Sequence, residues 1–152
     1  MSKPKRASEG TPQEYPCSDC SLAALQQRSQ LDFEIDFFER IINRDPTYVE
    51  VLARLGELFA LKGWHRRALQ ADLRLAQLRP HDPLVLYNLA CSHALLHQTE
   101  ESVAALRRAV AAGYCDFEHL AHDKDLDPIR CSPDFLQFMK DLVASGSRTR
   151  YV

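Results

Sequence analysis

The chain has 152 residues, 45% of them hydrophobic and 26% charged, with a formal net charge of -2. This is an ordinary globular composition, enough for one domain with a real core, and its charge gives no electrostatic reason to expect nucleic acid or a membrane as partner. No apolar run approaches the ~18 residues of a membrane span. The N-terminal MSKPKRASEGTPQEYPCSDC lacks an apolar stretch behind its basic residues, so we expect a cytoplasmic protein whose five cysteines are reduced thiols.

In chain order, residues 1–18 combine Pro, Ser, Gly, Glu and Lys and are expected to be a disordered tail, with Lys3-Pro-Lys5-Arg6 a solvated charge run inside it. Residues 19–48 are expected to be a degenerate N-terminal repeat or capping helix. Leu22 and Leu25 form a short first face, and Leu31, Ile35, Phe38 and Ile42 then recur at helical spacing until Asp45-Pro46. A helix is predicted over about 49–61, stopped by Lys62-Gly63, and a second over 65–78, broken at Pro80. Asp82-Pro83 opens a third, because aspartate caps free amides and proline is pre-set for the first turn. It runs to about Leu96. Thr99 is expected to cap the next helix, with Glu100 and Glu101 at its positive end and Gly113 closing it. Phe117 to His122 reads as a short helix, followed by an aspartate-rich turn and a single turn begun by Asp127-Pro128. Ser132-Pro133 starts a last helix with Phe135, Phe138, Met139 and Leu142 on one side. Residues 117–144 are thus expected to be C-terminal capping helices and 145–152 a tail.

Residues 49–82 and 83–116 share one apolar pattern at a 34-residue offset: Leu52 matches Leu86, Leu55 Leu89, Gly56 Ala90, Ala68 Ser102 and Leu75 Ala109. Two helix-period segments repeated at that spacing mark an all-α helical solenoid. The residues resemble the tetratricopeptide repeat family, whose motif is a spaced set of large and small positions. Leu52, Leu55-Gly56, Phe59, Ala68 and Pro80 fit it in the first unit, with Asp72 where an aromatic belongs. Leu86, Leu89-Ala90, Ser102, Leu106 and Ala109 fit it in the second, with His93 for the tyrosine and Tyr114 for the final proline. The resemblance implies a right-handed superhelix of antiparallel helix pairs whose first helices line a concave, peptide-binding groove.

On that geometry Arg54 and Glu57 face the groove beside Glu50 and Ala53. Leu84, Tyr87, Asn88 and Cys91 follow from the next unit, and His122 with Glu118 and Ala121 from the short helix. Tyr87 offers contact area at low entropy cost, and the Asn88 amide can bond a peptide backbone as donor and acceptor. Some family members clamp a C-terminal carboxylate with Asn and Lys or Arg. Asn88 and Arg54 could serve here, but Glu57 and Glu118 would repel it. The expected partner is therefore another protein, through a neutral or basic segment rather than an acidic C-terminus.

Candidates for chemistry are weaker. Asp123, Asp125 and Asp127 begin like a calcium loop, but Pro128 replaces the glycine its sharp turn needs, so we read a capped turn. His119 and His122 with Cys115 have zinc-compatible spacing and lack a defined fourth ligand, Cys131 being the one candidate. His93 and His97 lack the glutamate of a hydrolytic zinc helix, and Cys17-Ser-Asp-Cys20 is a lone pair without a second. Trp64 is expected to pack over a helix turn, and Arg40, Arg74 and Arg108, 34 apart, to lie on a solvated outer face. The sequence thus points to a non-catalytic interaction module with no metal and no cofactor: an adaptor, assembly factor or chaperone-like protein. Two alternatives are self-association through the 31–43 helix and a metal or enzyme site within 115–134.

Overall fold

Four of the seven α-helices among the described residues open on a side chain that caps their free amides. A computed structural model describes residues 29–145; the expected N-terminal tail, the Leu22/Leu25 face, Cys17, Cys20 and residues 146–152 lie outside the described residues. Helix α1 spans Gln30–Arg44, opened by Ser29, whose side chain accepts from the Asp32 amide. α2 is Val49–Leu61, α3 His65–Leu78, α4 Pro83–Leu95 and α5 Thr99–Ala111. A short α6, Phe117–His122, leads into a 3-10 helix over Lys124–Ile129, and α7 spans Pro133–Ala144. There is no strand among the described residues. Asp82 caps α4 by accepting from the Leu84 and Val85 amides, and Ser132 caps α7 from the Phe135 amide.

The α5 start differs from expectation. Thr99 is the first helical residue, the cap position belongs to Gln98, and no side chain caps the free amides there. The Gln98 side chain instead contacts His93, Oε1 to Nδ1 at 2.7 Å. The turn geometry explains this. α4 ends in a doubly hydrogen-bonded left-handed cap, His97 N–H to Ala94 O and Gln98 N–H to His93 O, which uses His97 at φ 59° and ties down Gln98. α2 ends in the same way one period earlier, with Gly63 at φ 75° and Trp64 N–H on Phe59 O. Trp64 does pack over this turn: its ring lies 6.2 Å from that of Phe59, with the Arg67 guanidinium 5.1 Å away.

α2 packs on α3 and α4 on α5, while α3 against α4 joins the two pairs; α1 covers α2, α7 covers α5, and the 3-10 helix lies on α4. One apolar cluster holds Ile35, Val51, Leu55, Leu58, Phe59 and Ala68, and a larger one runs from Leu69 through α4 and α5 to Phe135 and Phe138. α4 is apolar almost all round, as a helix must be when neighbours touch it on three sides. Small residues set the close approach within the second pair. Ser102, fully buried, donates its hydroxyl to Ala90 O at 2.7 Å, so the one polar atom at that contact is satisfied. Arg40, Arg74 and Arg108 are all exposed. Ion pairs between helices are made instead by other arginines, Arg54 with Glu34, Arg67 with Glu39 and Arg107 with Asp141.

A carboxylate-lined groove as the candidate functional site

The junction of α2, α3 and α4 is where the two units differ most from a plain apolar repeat. Asp72 on α3 is 7% exposed, and its carboxylate accepts from Ser92 Oγ of α4 at 2.5 Å. Gly56 of α2 makes the room: a Cβ at that position would lie 3.1 Å from Asp72 Oδ1. Burial pushes the Asp72 carboxyl up to about 6, against the opposing pull of the Ser92 hydrogen bond. This pair is the floor of a cavity of about 300 Å³.

One wall is α4. Tyr87 and Cys91, 4% and 7% exposed, lie one helical turn apart and both point to Asp123 at the start of the 3-10 helix. The Tyr87 hydroxyl donates to Asp123 Oδ2 at 2.7 Å and the Cys91 thiol to the same oxygen at 3.6 Å. The Tyr87 ring stacks on Tyr114, centroids 4.3 Å apart and planes within 3°. Burial, then the neighbouring carboxylate, raises both the Tyr87 hydroxyl and the Cys91 thiol well above their ordinary values. Neither is a ready nucleophile.

The opposite rim is the segment after α6. Asp123 Oδ1 accepts from the Asp125 amide at 3.0 Å, and His119 Nε2 lies 3.3 Å from Asp123 Oδ2. Burial and the Asp123 charge raise the Asp125 carboxyl, with His65 and His119 acting the other way. Arg130 holds the segment in place. Its guanidinium donates to Ala121 O and Asp123 O, both at 2.6 Å, and to Asp127 Oδ1 at 2.9 Å. Glu57 and Asn88, both exposed, complete the mouth.

Of the residues expected to face the groove, Ala53, Glu57, Tyr87, Asn88 and Cys91 line this cavity, Tyr87 and Cys91 buried in its wall rather than presented as contact area; Glu50, Arg54, Leu84, Glu118, Ala121 and His122 do not line it. Arg54 is held by Glu34 at 2.8 Å and Glu57 at 3.0 Å, Leu84 is 64% exposed to solvent, and His122 Nδ1 lies 2.9 Å from Glu118 O. Asp72, Ser92, His119, Asp123 and Asp125 line it without having been assigned to the groove. Asp72 did carry a signal, a carboxylate at a position of the repeat that wants a large apolar group. The Asp123 turn is capped as expected, but its side chains face α4 across the cavity. The zinc-compatible set of the short helix does not assemble: Cys115 and Cys131 are exposed free thiols that do not line the cavity.

No family profile matches the chain. It is 31% identical over 90 residues to a chloroplastic protein of Arabidopsis thaliana, a match covering 57% of this chain and 27% of that protein's length. The chain thus spans about a quarter of the curated relative. Among solved structures, that of MamA, a protein containing tetratricopeptide repeats, superimposes with a TM-score of 0.53 at 19% identity, covering 82% of this chain and 78% of the other. The fold is that of a tetratricopeptide-repeat solenoid. Within that fold, the chain turns back over its second helix pair. The Gly113 turn at φ 108° sends Tyr114 back onto Tyr87, and the 3-10 helix then closes over α4. No helix among the described residues is long and apolar enough to cross a membrane.

Proposed function

We propose that this groove receives a neutral or basic segment of another protein, which makes the chain a non-catalytic adaptor, assembly factor or chaperone-like module. One observation carries the reading: Glu57, Asp72, Asp123 and Asp125 all line the cavity, and no lysine or arginine among the described residues does. Converging carboxylates in a partly desolvated recess repel an acidic segment and attract a cationic one. Asn88, exposed at the mouth, is placed to bond an incoming backbone through both ends of its amide. Selection from a random peptide display library tests this directly. Sequences bearing Lys or Arg should be enriched, and Glu57→Lys should weaken them by about tenfold or more without unfolding the protein. Enrichment of acidic sequences, or binding indifferent to both Glu57→Lys and Asn88→Ala, would sink the reading.

A second reading, self-association, is favoured by α1, where Phe33 and Phe37 are 60% and 51% exposed. Aromatic groups four apart on an outer helix face are the kind of patch that pairs copies of a short solenoid. Light scattering over a dilution series decides it, since a strict monomer at all concentrations removes it.

A further inference from the structure

Three side chains at the rim of the groove, with His119 beside them, offer the donor set of a transition-metal ion. Cys91 Sγ and carboxylate oxygens of Asp123 and Asp125 lie within 4.8 Å of one another. Asp123 Oδ2 is the hub, 3.6 Å from Cys91 Sγ and 3.3 Å from His119 Nε2. A tetrahedral zinc ion with bonds of about 2.3 Å to sulfur and about 2.0 Å to nitrogen and oxygen sets those edges at roughly 3.5 and 3.3 Å. The spacing already present is that of two edges of such a site.

The surroundings support the same reading. Tyr87 donates to Asp123, and Arg130 fixes that residue's backbone through its carbonyl, as the outer partners of a metal site commonly do. Arg130 directs its remaining donors to Ala121 O and the Asp127 carboxylate, so it does not neutralise the Asp123 and Asp125 carboxylates. Nor does any Lys or Arg among the described residues line the cavity. Cys91 is 7% exposed, whereas His119 and Asp125 are exposed, which leaves an entry path on one side.

We propose that Cys91, Asp123, Asp125 and His119 bind one divalent ion of the zinc class. His119 keeps its Nε2 edge to Asp123 and pivots toward Cys91 and Asp125 to complete the set, and the Cys91 thiol releases its proton to solvent as the metal–sulfur bond forms. The thiolate and imidazole select zinc or cobalt over calcium or magnesium, which prefer all-oxygen sites. This goes beyond the peptide reading and does not depend on it, but it claims two of the same carboxylates; with the ion in place, Asp72 and Glu57 alone among the described residues of the lining remain to attract a cationic segment.

The test uses the full chain with Cys17→Ser, Cys20→Ser, Cys115→Ser and Cys131→Ser, so that Cys91 is its sole thiol. Titration with cobalt(II) should reach one equivalent and give a thiolate-to-cobalt charge-transfer band together with tetrahedral visible absorption. Cys91→Ser should abolish the band. Asp125→Asn, at an exposed position that leaves the fold intact, should weaken cobalt and zinc binding by about tenfold or more. The absence of a thiolate band in the four-serine protein would overturn the proposal. So would cobalt affinity unchanged by Asp125→Asn.

Discussion

The units over 49–82 and 83–116 share a core pattern and put it to different use. Leu58 and Leu106, 1% and 0% exposed, are ordinary core residues in their own units. Their counterparts one period away are Ser92 and Asp72, which meet across the unit junction in a single hydrogen bond. Two buried apolar positions of the repeat have thus been exchanged for a polar pair, and that exchange gives the groove its floor. The concave face differs as well. In the first unit it carries Ala53 and Glu57, and in the second Tyr87 and Cys91, buried under the returning chain. One half of the groove is therefore accessible surface, and the other half is wall.

Substitutions in the two units are expected to respond unequally. The largest effect is expected at Leu106, where truncation to alanine in a fully buried site should cost about 2–5 kcal/mol in a chemical denaturation experiment. Asp72, its counterpart, should behave in a different way. Its carboxyl is pushed up to about 6 in the folded protein from an ordinary 3.8, so the folded state holds a proton over that interval that the unfolded chain has released. Stability should therefore fall as pH rises from about 4 to 6, by an amount on the order of 3 kcal/mol. Asp72→Asn should flatten that slope while keeping an acceptor for Ser92. A slope unchanged by the substitution would place the titration elsewhere.

Smaller effects separate the open half from the walled half. Tyr87→Phe removes the hydroxyl bond to Asp123 and should cost about 1 kcal/mol, whereas the stacking on Tyr114 persists. At the equivalent turns, Gly63 and His97 both adopt positive φ, which costs glycine nothing and a residue with a Cβ about 1 kcal/mol or more. His97→Gly should therefore stabilise the protein by about 1 kcal/mol, read as a shift in the denaturation midpoint. Glycine at 97 would test whether the second unit carries strain that the first avoids. The smallest change is expected at Arg54. Its two ion pairs are open to solvent, so Arg54→Ala should leave the denaturation midpoint where it is, within the scatter of replicate measurements.

The helices were legible because their signals are local. Pro, Gly, Asp and Ser at the caps and a 3.6-residue apolar period act within a turn or two of where they stand, and the 34-residue echo of Leu52/Leu86 and Gly56/Ala90 gives the pairing. Glu57, Tyr87, Asn88 and Cys91 line the cavity on the side that helix phase gives them, whereas Arg54 and Leu84, placed by the same phase, do not. Cap assignment failed at Thr99, because a left-handed turn at a histidine carries no composition signal as glycine does.

The sequence carries the repeat: which residues are helical, most of the core face of each helix, and that neighbouring pairs stack, although it left Tyr87 and Cys91 on the groove side where the structure buries both. Only the tertiary structure decided that Asp72 meets Ser92 across a gap left by Gly56, and that the Asp123 turn folds back 32 residues to face Cys91. Those contacts join side chains on different elements, and their geometry depends on how far the chain returns after Gly113. Periodicity reports the phase of each helix about its own axis. It carries no measure of the distance between a helix and a loop that closes over it.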